Sequence, residues 1–219
     1  MGVVLVAVGT GMLAFAAWEF WGTNVVSNAR HRSIVEALED SWRSGAGPDE
    51  APRSTTRPGS DPAERATAVV RIPRFGKDYA VPLIAGVDPD DLASGFGHFP
   101  GTADPGRPGN FALAGHRVTH GEPLRRMPEL RPGDTVVIET ATATYTYVLD
   151  TGGDALTVPF TATWVLAPMP HNPLGGVEPE QRAGQRLITL ATCAALVATP
   201  NRMVAFGHLA SSQPRDAAA

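Results

Sequence analysis

The stretch "RLITLATCAALVATPNRMVAFGHL", from Arg186 to Leu209, contains two apolar runs, the first of them rich in β-branched residues, joined by a short connection. Both runs have the composition of strands that are buried in a sheet. The first run ends at Cys193, the only cysteine of the chain, and the second begins at Arg202. If the runs pair as antiparallel neighbours, Cys193 and Arg202 face each other across an open groove.

Runs of the same kind recur from residue 68 onward, separated by Gly, Pro and Asp. Several alternate with a period of two, as half-buried strands do. About eight such strands in one unit favour a closed or nearly closed β-barrel, with a sandwich as the alternative. Two short helices are predicted at "DPDDLASG" and "PLRRMPEL". The predicted strands are "AVVRIP", "YAVPLIAG", "NFALAGH", "DTVVIETA", "TYTYVLDT", "RLITLATC" and "RMVAFGHL".

The first 22 residues carry no Lys or Arg and only one acidic residue, Glu19. A helix of about twenty residues spans about 30 Å, the hydrocarbon thickness of a bilayer. A signal peptide is one alternative, but the basic residues with which such a peptide starts are missing here. A buried core helix is the other alternative. Residues 1–22 are therefore predicted to be a transmembrane anchor, which makes the lipid bilayer a partner.

The remaining chain divides by composition. Residues 23–43 place Ile34, Val35, Leu38 and Trp42 on one helix face, which predicts a juxtamembrane helix. Residues 44–67 are rich in Pro, Gly, Ser and Thr and are predicted to be a flexible linker. Residues 68–210 form the predicted β domain, and residues 211–219 a disordered tail.

Composition argues against a nucleic-acid partner. The 219 residues carry a net charge of −4, and the sequence has no concentrated run of Lys and Arg. Phosphate backbones are bound by such concentrated positive charge. A hydrophobic content of 43% instead favours a packed globular core.

A lone cysteine is more often an inert, buried side chain than a nucleophile. Catalysis by a thiol requires a histidine for proton transfer and benefits from a fixed cation. His116 follows the predicted strand "NFALAG" at a glycine, where a side chain can be presented at a barrel rim, and Arg202 is the candidate cation. His31 is predicted to be solvated in its helix. His116 and His120 are four apart, but flanking glycines argue against the helix that such a metal site uses, so no metal is predicted.

The order of these motifs resembles the sortase family. "TLATC" followed by Arg202, with "AGHR" upstream, matches the family's three catalytic positions in order. "RIPRFGKDYAVP", "GHFPGTADPGRPGNFALAGHR" and "LRPGDTVVIET" are similar to class E sortases of actinobacteria, over residues 68–210. The resemblance implies a closed sortase-type β-barrel of about eight strands with short helices.

The resemblance also implies the chemistry. Cys193 would be the nucleophile, His116 the general acid/base and Arg202 the cation that stabilises the oxyanion. The substrate would be a secreted protein whose C-terminal Leu-Ala-x-Thr-Gly or Leu-Pro-x-Thr-Gly sorting signal is cleaved after Thr. The acceptor would be an amine of a cell-wall precursor or a pilin, with no metal or organic cofactor. Phe99 and Thr192 are expected to bind substrate.

Two departures from class E are visible. Ala194 and Ala195 follow the cysteine where the class commonly has His-Pro, and Phe99 stands where the class often has Tyr in "GHYPGT". A non-catalytic wall-associated binding or scaffold domain on the same fold is therefore an alternative. A transpeptidase for peptidoglycan stem peptides fits less well, because its "SHGC" motif is missing. The expected location is the cell membrane, with the catalytic domain outside.

Overall fold

The structure, a computed structural model, describes residues 1–17, 22–44, 61–193 and 200–215. The strands of the β domain form one sheet, and most of them have three to eight residues. The strands within the described residues are β1 (Ala66–Arg71), β2 (Val81–Ala85), β3 (Phe96–His98), β4 (Gly109–Ala114), β5 (Thr135–Glu139), β6 (Ala143–Leu149), β7 (Leu156–Pro159), β8 (Arg186–Cys193) and β9 (Asn201–Pro214).

The sheet closes on itself. Eight strands follow each other around the ring in the order β6, β5, β1, β2, β3, β4, β8, β9, and β9 then pairs with β6. β7 lies outside this ring and pairs with the first part of β9. The pairs β2–β3 and β4–β8 are parallel, and the other pairs are antiparallel. The predicted closed barrel of about eight strands is thus confirmed.

Alternation along the strands fills the barrel. In β5, Val136 and Ile138 point inward and are buried, whereas the residues between them are partly exposed. In β6, Tyr147 and Leu149 follow the same rule. This period of two places each second side chain in the interior, where apolar surface leaves water. The hydrophobic core therefore lies inside the ring.

Helices lie outside the ring. They are α1 (Gly2–Ala17), α2 (Thr23–Arg43) and α3 (Pro89–Ser94), with 3-10 helices at Pro62–Arg65, Pro73–Phe75, Met127–Glu129 and Thr163–Leu166. α2 covers the range predicted for the juxtamembrane helix. Its Ile34 packs with Ala66 and Ile84 of the barrel in one buried cluster. α2 is therefore docked on the barrel wall.

Nowhere in the described residues does a helix have both the length and the apolarity needed to cross a membrane. The structure therefore does not support the span predicted over residues 1–22, of which residues 18–21 lie outside the described part.

The predicted linker and tail are shorter than expected where the structure describes them. Of the predicted linker, residues 45–60 lie outside the described residues, whereas residues 61–67 form a 3-10 helix and the start of β1. The predicted disordered tail from residue 211 is corrected for residues 211–214. These residues continue β9, because Pro214 still pairs with Ala143 of β6. Residues 216–219 lie outside the described part.

Candidate active site

The three predicted catalytic residues meet at one edge of the barrel. β4 and β8 run parallel with Ala114 opposite Ala191, so His116 and Cys193 follow at the same ends of neighbouring strands. Cys193 is also the register partner of Arg202 in the antiparallel pair β8–β9. Directly opposed residues in such a pair have Cα atoms about 4.5–5.5 Å apart. The sheet therefore brings together residues that are far apart in sequence.

A buried hydrogen bond ties the two parallel strand ends together. Thr192 is buried, and its Oγ1 donates to the carbonyl oxygen of Gly115 at 2.7 Å. The amide of Gly115 in turn donates to the carbonyl of Ala191 at 3.1 Å. These bonds fix the backbone immediately before both His116 and Cys193. Thr192 also lines the cleft described next, and its role in substrate binding stays a prediction.

A cleft of about 320 Å³ opens beside this edge. His116, Thr192 and Arg202 line the cleft, together with Phe99, the other residue predicted to bind substrate. Another wall of the cleft comes from β7 and the 3-10 helix Thr163–Leu166, which the sequence did not predict. Its apolar side chains are Val158, Pro159, Phe160, Val165 and Leu166. The cleft therefore suits a peptide with apolar side chains.

A buried polar network holds this apolar wall against the barrel. Asn110 of β4 donates through Nδ2 to the carbonyl of Val165 at 2.9 Å. Thr189 of β8 donates through Oγ1 to Asn110 Oδ1 at 2.7 Å. Both polar side chains are buried, so their hydrogen bonds are made at low local dielectric. The polar residue inside the apolar run "GNFALA" is the sequence signal that could have indicated this contact.

His116 is a neutral base at neutral pH. Burial, with a smaller contribution from the neighbouring His120 imidazole, lowers its pKa to about 4. The two rings stack with centroids 4.8 Å apart and an interplanar angle of 29°. The unprotonated imidazole can accept a proton from a thiol or an amine.

Arg202 supplies a fixed positive charge at the same site. It is the second residue of β9, pairs with Val158 of β7 and lines the cleft. Its Nη1 donates to the carbonyl oxygen of Asn201 at 3.0 Å, which orients the guanidinium. A guanidinium stays protonated at all physiological pH values and can donate two parallel hydrogen bonds to an oxyanion.

His31 is not solvated, contrary to its predicted place on an open helix face. Its side chain is 2% exposed, because α2 packs it against Gly121 of the loop after β4. Burial lowers its pKa to about 4, although a hydrogen bond with the Ala93 backbone acts in the opposite direction. The tertiary contact, which the sequence pattern does not contain, is the reason for the difference.

The low pKa of His31 predicts acid sensitivity of the fold. Its ordinary pKa is 6.5, so between pH 6.5 and 4 the unfolded chain binds a proton that the folded chain does not. Stability is therefore unaffected above pH 6.5 and falls as pH drops through this window, by about 3 kcal/mol for this histidine. His31→Leu is expected to flatten the pH dependence of unfolding in urea.

His116 titrates in the same pH window. The slope of the unfolding free energy against pH should therefore become smaller in His31→Leu but should not vanish. Ser33→Ala, an exposed and non-titrating change on the same helix, is the matched control and should leave the slope as it is. An unchanged slope in His31→Leu would show that burial does not hold this imidazole neutral.

Known proteins resemble this chain over most of its length. The sortase-domain family model matches residues 70–210, from within β1 to within β9. Sortase SrtE1 of Streptomyces coelicolor is 32% identical over 98% of this chain, and the chain spans 58% of that protein's length. Sortase SrtE2 of the same organism is 25% identical over 99% of this chain and 83% of its own length.

Solved structures agree with this similarity. Sortase E from Streptomyces avermitilis is 39% identical, with a TM-score of 0.59 over 68% of this chain and 91% of that chain. Sortase E1 from Streptomyces coelicolor, solved with a tripeptide in the active site, is 32% identical. Its TM-score is also 0.59, over 69% of this chain and 91% of that one.

Proposed function

Because this chain belongs to the sortase family, within class E, we propose that it is a cysteine transpeptidase that cleaves a sorting signal. The observation that carries the proposal is the meeting of His116, Cys193 and Arg202 beside an apolar cleft. A nucleophile, a base and a fixed cation at one strand edge are what acyl transfer requires.

The proposed reaction has two acyl transfers. His116 takes the proton of the Cys193 thiol as the sulfur attacks the threonine carbonyl carbon of the signal, the C–N bond to glycine breaks, and the glycine amine leaves with that proton. A thioester remains on Cys193. An incoming amine then attacks the thioester and gives its proton to His116. The C–S bond breaks, and the sulfur takes this proton back from His116, so the thiol and the neutral imidazole are restored without oxidation or reduction.

The environment of His116 supports these proton transfers. An imidazole whose pKa burial holds near 4 is neutral at rest and becomes a strong acid once protonated. Such an acid transfers its proton readily to a leaving amine. Arg202 supports the same steps, because its guanidinium lies on the cleft and can stabilise the negative oxygen of each tetrahedral intermediate.

The cleft supports a signal of the type Leu-Ala-x-Thr-Gly or Leu-Pro-x-Thr-Gly. Its wall at Val158, Val165 and Leu166 offers apolar contacts for the leucine and for the alanine or proline. Phe99 lines the cleft without the hydroxyl that class E sortases often place there. We therefore propose that it contacts the substrate through apolar surface alone.

The partners and the location extend this proposal. Substrates would be secreted proteins, acceptors would be amines of a cell-wall precursor or a pilin, and the β domain would act outside the cell membrane. The helix α1 contains no charged residue, which is compatible with a position at a bilayer.

A peptide assay tests the proposed activity. The full chain is incubated with a Leu-Ala-x-Thr-Gly peptide, a Leu-Pro-x-Thr-Gly peptide or a scrambled peptide, each with an excess of a glycine-based amine. Mass spectrometry should detect a product in which the amine is joined to threonine, with both ordered signals and not with the scrambled one. Peptide binding without product would instead favour a wall-associated scaffold, and the transpeptidase proposal would be wrong.

A further inference from the structure

Helix α2 contacts the loop that carries His116. We call residues 115–122, which follow β4, the histidine loop. The side-chain amide of Asn24, in the first turn of α2, makes three hydrogen bonds to it. Its Nδ2 donates to the Val118 carbonyl at 3.2 Å and to Glu122 Oε1 at 2.8 Å, and its Oδ1 accepts from the Gly121 amide at 2.9 Å.

The histidine loop has a backbone that needs such support. His120, Gly121 and Glu122 are consecutive and have φ angles of 54°, 81° and 51°. Glycine adopts this left-handed region freely, but the other two residues are strained there. Strained residues persist where surrounding contacts over-determine them. Asn24 contacts two of these three residues directly.

The approach of α2 to the loop is close. A Cβ at position 121 would lie 2.6 Å from Cε1 of His31, so the glycine is required where the two segments touch. Further along α2, Glu39 forms an ion pair with Arg71 of β1 at 2.6 Å, and Ile34 packs against the barrel. α2 is thus fixed to the barrel at sites away from the loop and can act as a rigid support for it.

The loop in turn determines where His116 lies. His120 stacks on the His116 ring, and the His116 carbonyl accepts a hydrogen bond from the Leu124 amide at 2.9 Å. A change in the backbone at residues 120–122 therefore moves the ring that covers His116. The contacts run without a gap from Asn24 through the strained turn and His120 to His116.

We propose that Asn24 is a positioning residue for His116, so that α2 is a working part of the catalytic unit. The proposal rests on the role of His116 in the proposed function. Asn24 acts through the loop, at a distance from the cleft, and α2 contributes no residue to the lining of the cleft. The expected consequence is a change in turnover with little change in substrate binding.

The first test compares Asn24→Ala with Val25→Ala in the full chain. Val25 neighbours Asn24 on α2 and is 69% exposed, so its truncation controls for changes to the helix. Small misplacements of a catalytic group can lower rates about 100-fold. We expect kcat with a sorting-signal peptide to fall about 10- to 100-fold in Asn24→Ala, with KM within about twofold and with Val25→Ala like wild type.

A second readout does not depend on turnover. NMR titration of the His116 ring should place its pKa near 4 in the wild type and higher, toward 6.5, in Asn24→Ala, because the loosened loop exposes the ring to water. If the wild type forms no product, the proposed function fails, and this titration alone still tests the positioning.

A donor–acceptor exchange keeps the test decisive if Asn24→Ala does not fold. Asn24→Asp replaces the donor toward Glu122 by a second carboxylate, and Glu122→Gln in the same chain restores a donor between the two positions. We expect the double variant to recover part of the kcat that Asn24→Asp loses. Unchanged kcat and an unchanged His116 titration in folded Asn24 variants would overturn the proposal, as would a rise in KM at constant kcat.

Discussion

Replacement of Cys193 by alanine is expected to reduce transpeptidation at least about 10⁴-fold, the scale of loss when a covalent nucleophile is removed from a catalytic group that acts as a unit. Without the thiol no thioester can form, and neither His116 nor Arg202 offers a nucleophile in its place. Cys193 is the last residue of β8, so the β8–β9 ladder from Leu187 onward is retained. The melting temperature of Cys193→Ala should therefore stay close to that of the wild type, although its activity is lost.

The chain offers a clean measurement of this prediction, because Cys193 is its only thiol. Mass spectrometry of the wild type mixed with signal peptide, quenched in acid, should show one thioester adduct, and Cys193→Ala should show none. Alkylation by iodoacetamide should block the wild type and should be slowed by substrate peptide. Full activity in Cys193→Ala would remove the basis of the proposed mechanism.

Replacement of Asp91 by alanine is expected to destabilise the fold by about 3–5 kcal/mol, the usual cost of breaking a buried ion pair. The Asp91 side chain is fully buried and forms an ion pair with Arg65, whose side chain is only 12% exposed. Asp91 Oδ2 also accepts from the Asp88 amide at 3.1 Å at the start of α3. The variant would leave the Arg65 charge buried without its carboxylate.

Urea unfolding at pH 7 measures this loss, which corresponds to a fall in melting temperature of about 10 °C for a domain of this size. Asp40→Ala breaks an exposed ion pair within α2 and should leave stability unchanged within error. The double variant Arg65→Met, Asp91→Leu should recover much of the loss, because it removes the unpaired charge. If it is as unstable as Asp91→Ala, the ion pair is not the cause.

The effect on α3 should extend to the cleft. Leu92 lies next to Asp91 and contributes to the cleft lining. Loosening α3 in Asp91→Ala is therefore expected to raise KM for the signal peptide at temperatures where the chain is still folded.

The barrel could be predicted from sequence because the composition of most strands is itself typical of strands. The runs that form β5, β6 and β8 are rich in β-branched residues and the run that forms the first half of β9 is apolar, and in β5 the alternation matches the inward and outward faces. β3 and β7 have three and four residues, too few for a period to be visible, and β7 ends in proline. The wall of the cleft was missed for this reason.

The candidate site was predicted only in part, because motif order and tertiary contact are different kinds of information. His116, Cys193 and Arg202 could be selected from the order of their motifs. His31 was predicted to be solvated from its place in the juxtamembrane helix, and only the docking of α2 on the barrel buries it. The hydrogen bond from Thr192 to Gly115 joins residues 77 positions apart, which no local pattern reports.

Because β4 pairs with β8 in parallel, the residues that fix the catalytic side chains differ from the residues that line the wall of the cleft. Six consecutive residue pairs, from Gly109 opposite Arg186 to Ala114 opposite Ala191, set the spacing of the two strand ends. The wall of the cleft, residues 156–166, belongs to the chain between these strands and takes no part in that ladder. Substitutions in this wall can therefore change which peptides the cleft accepts, while His116 and Cys193 keep their separation.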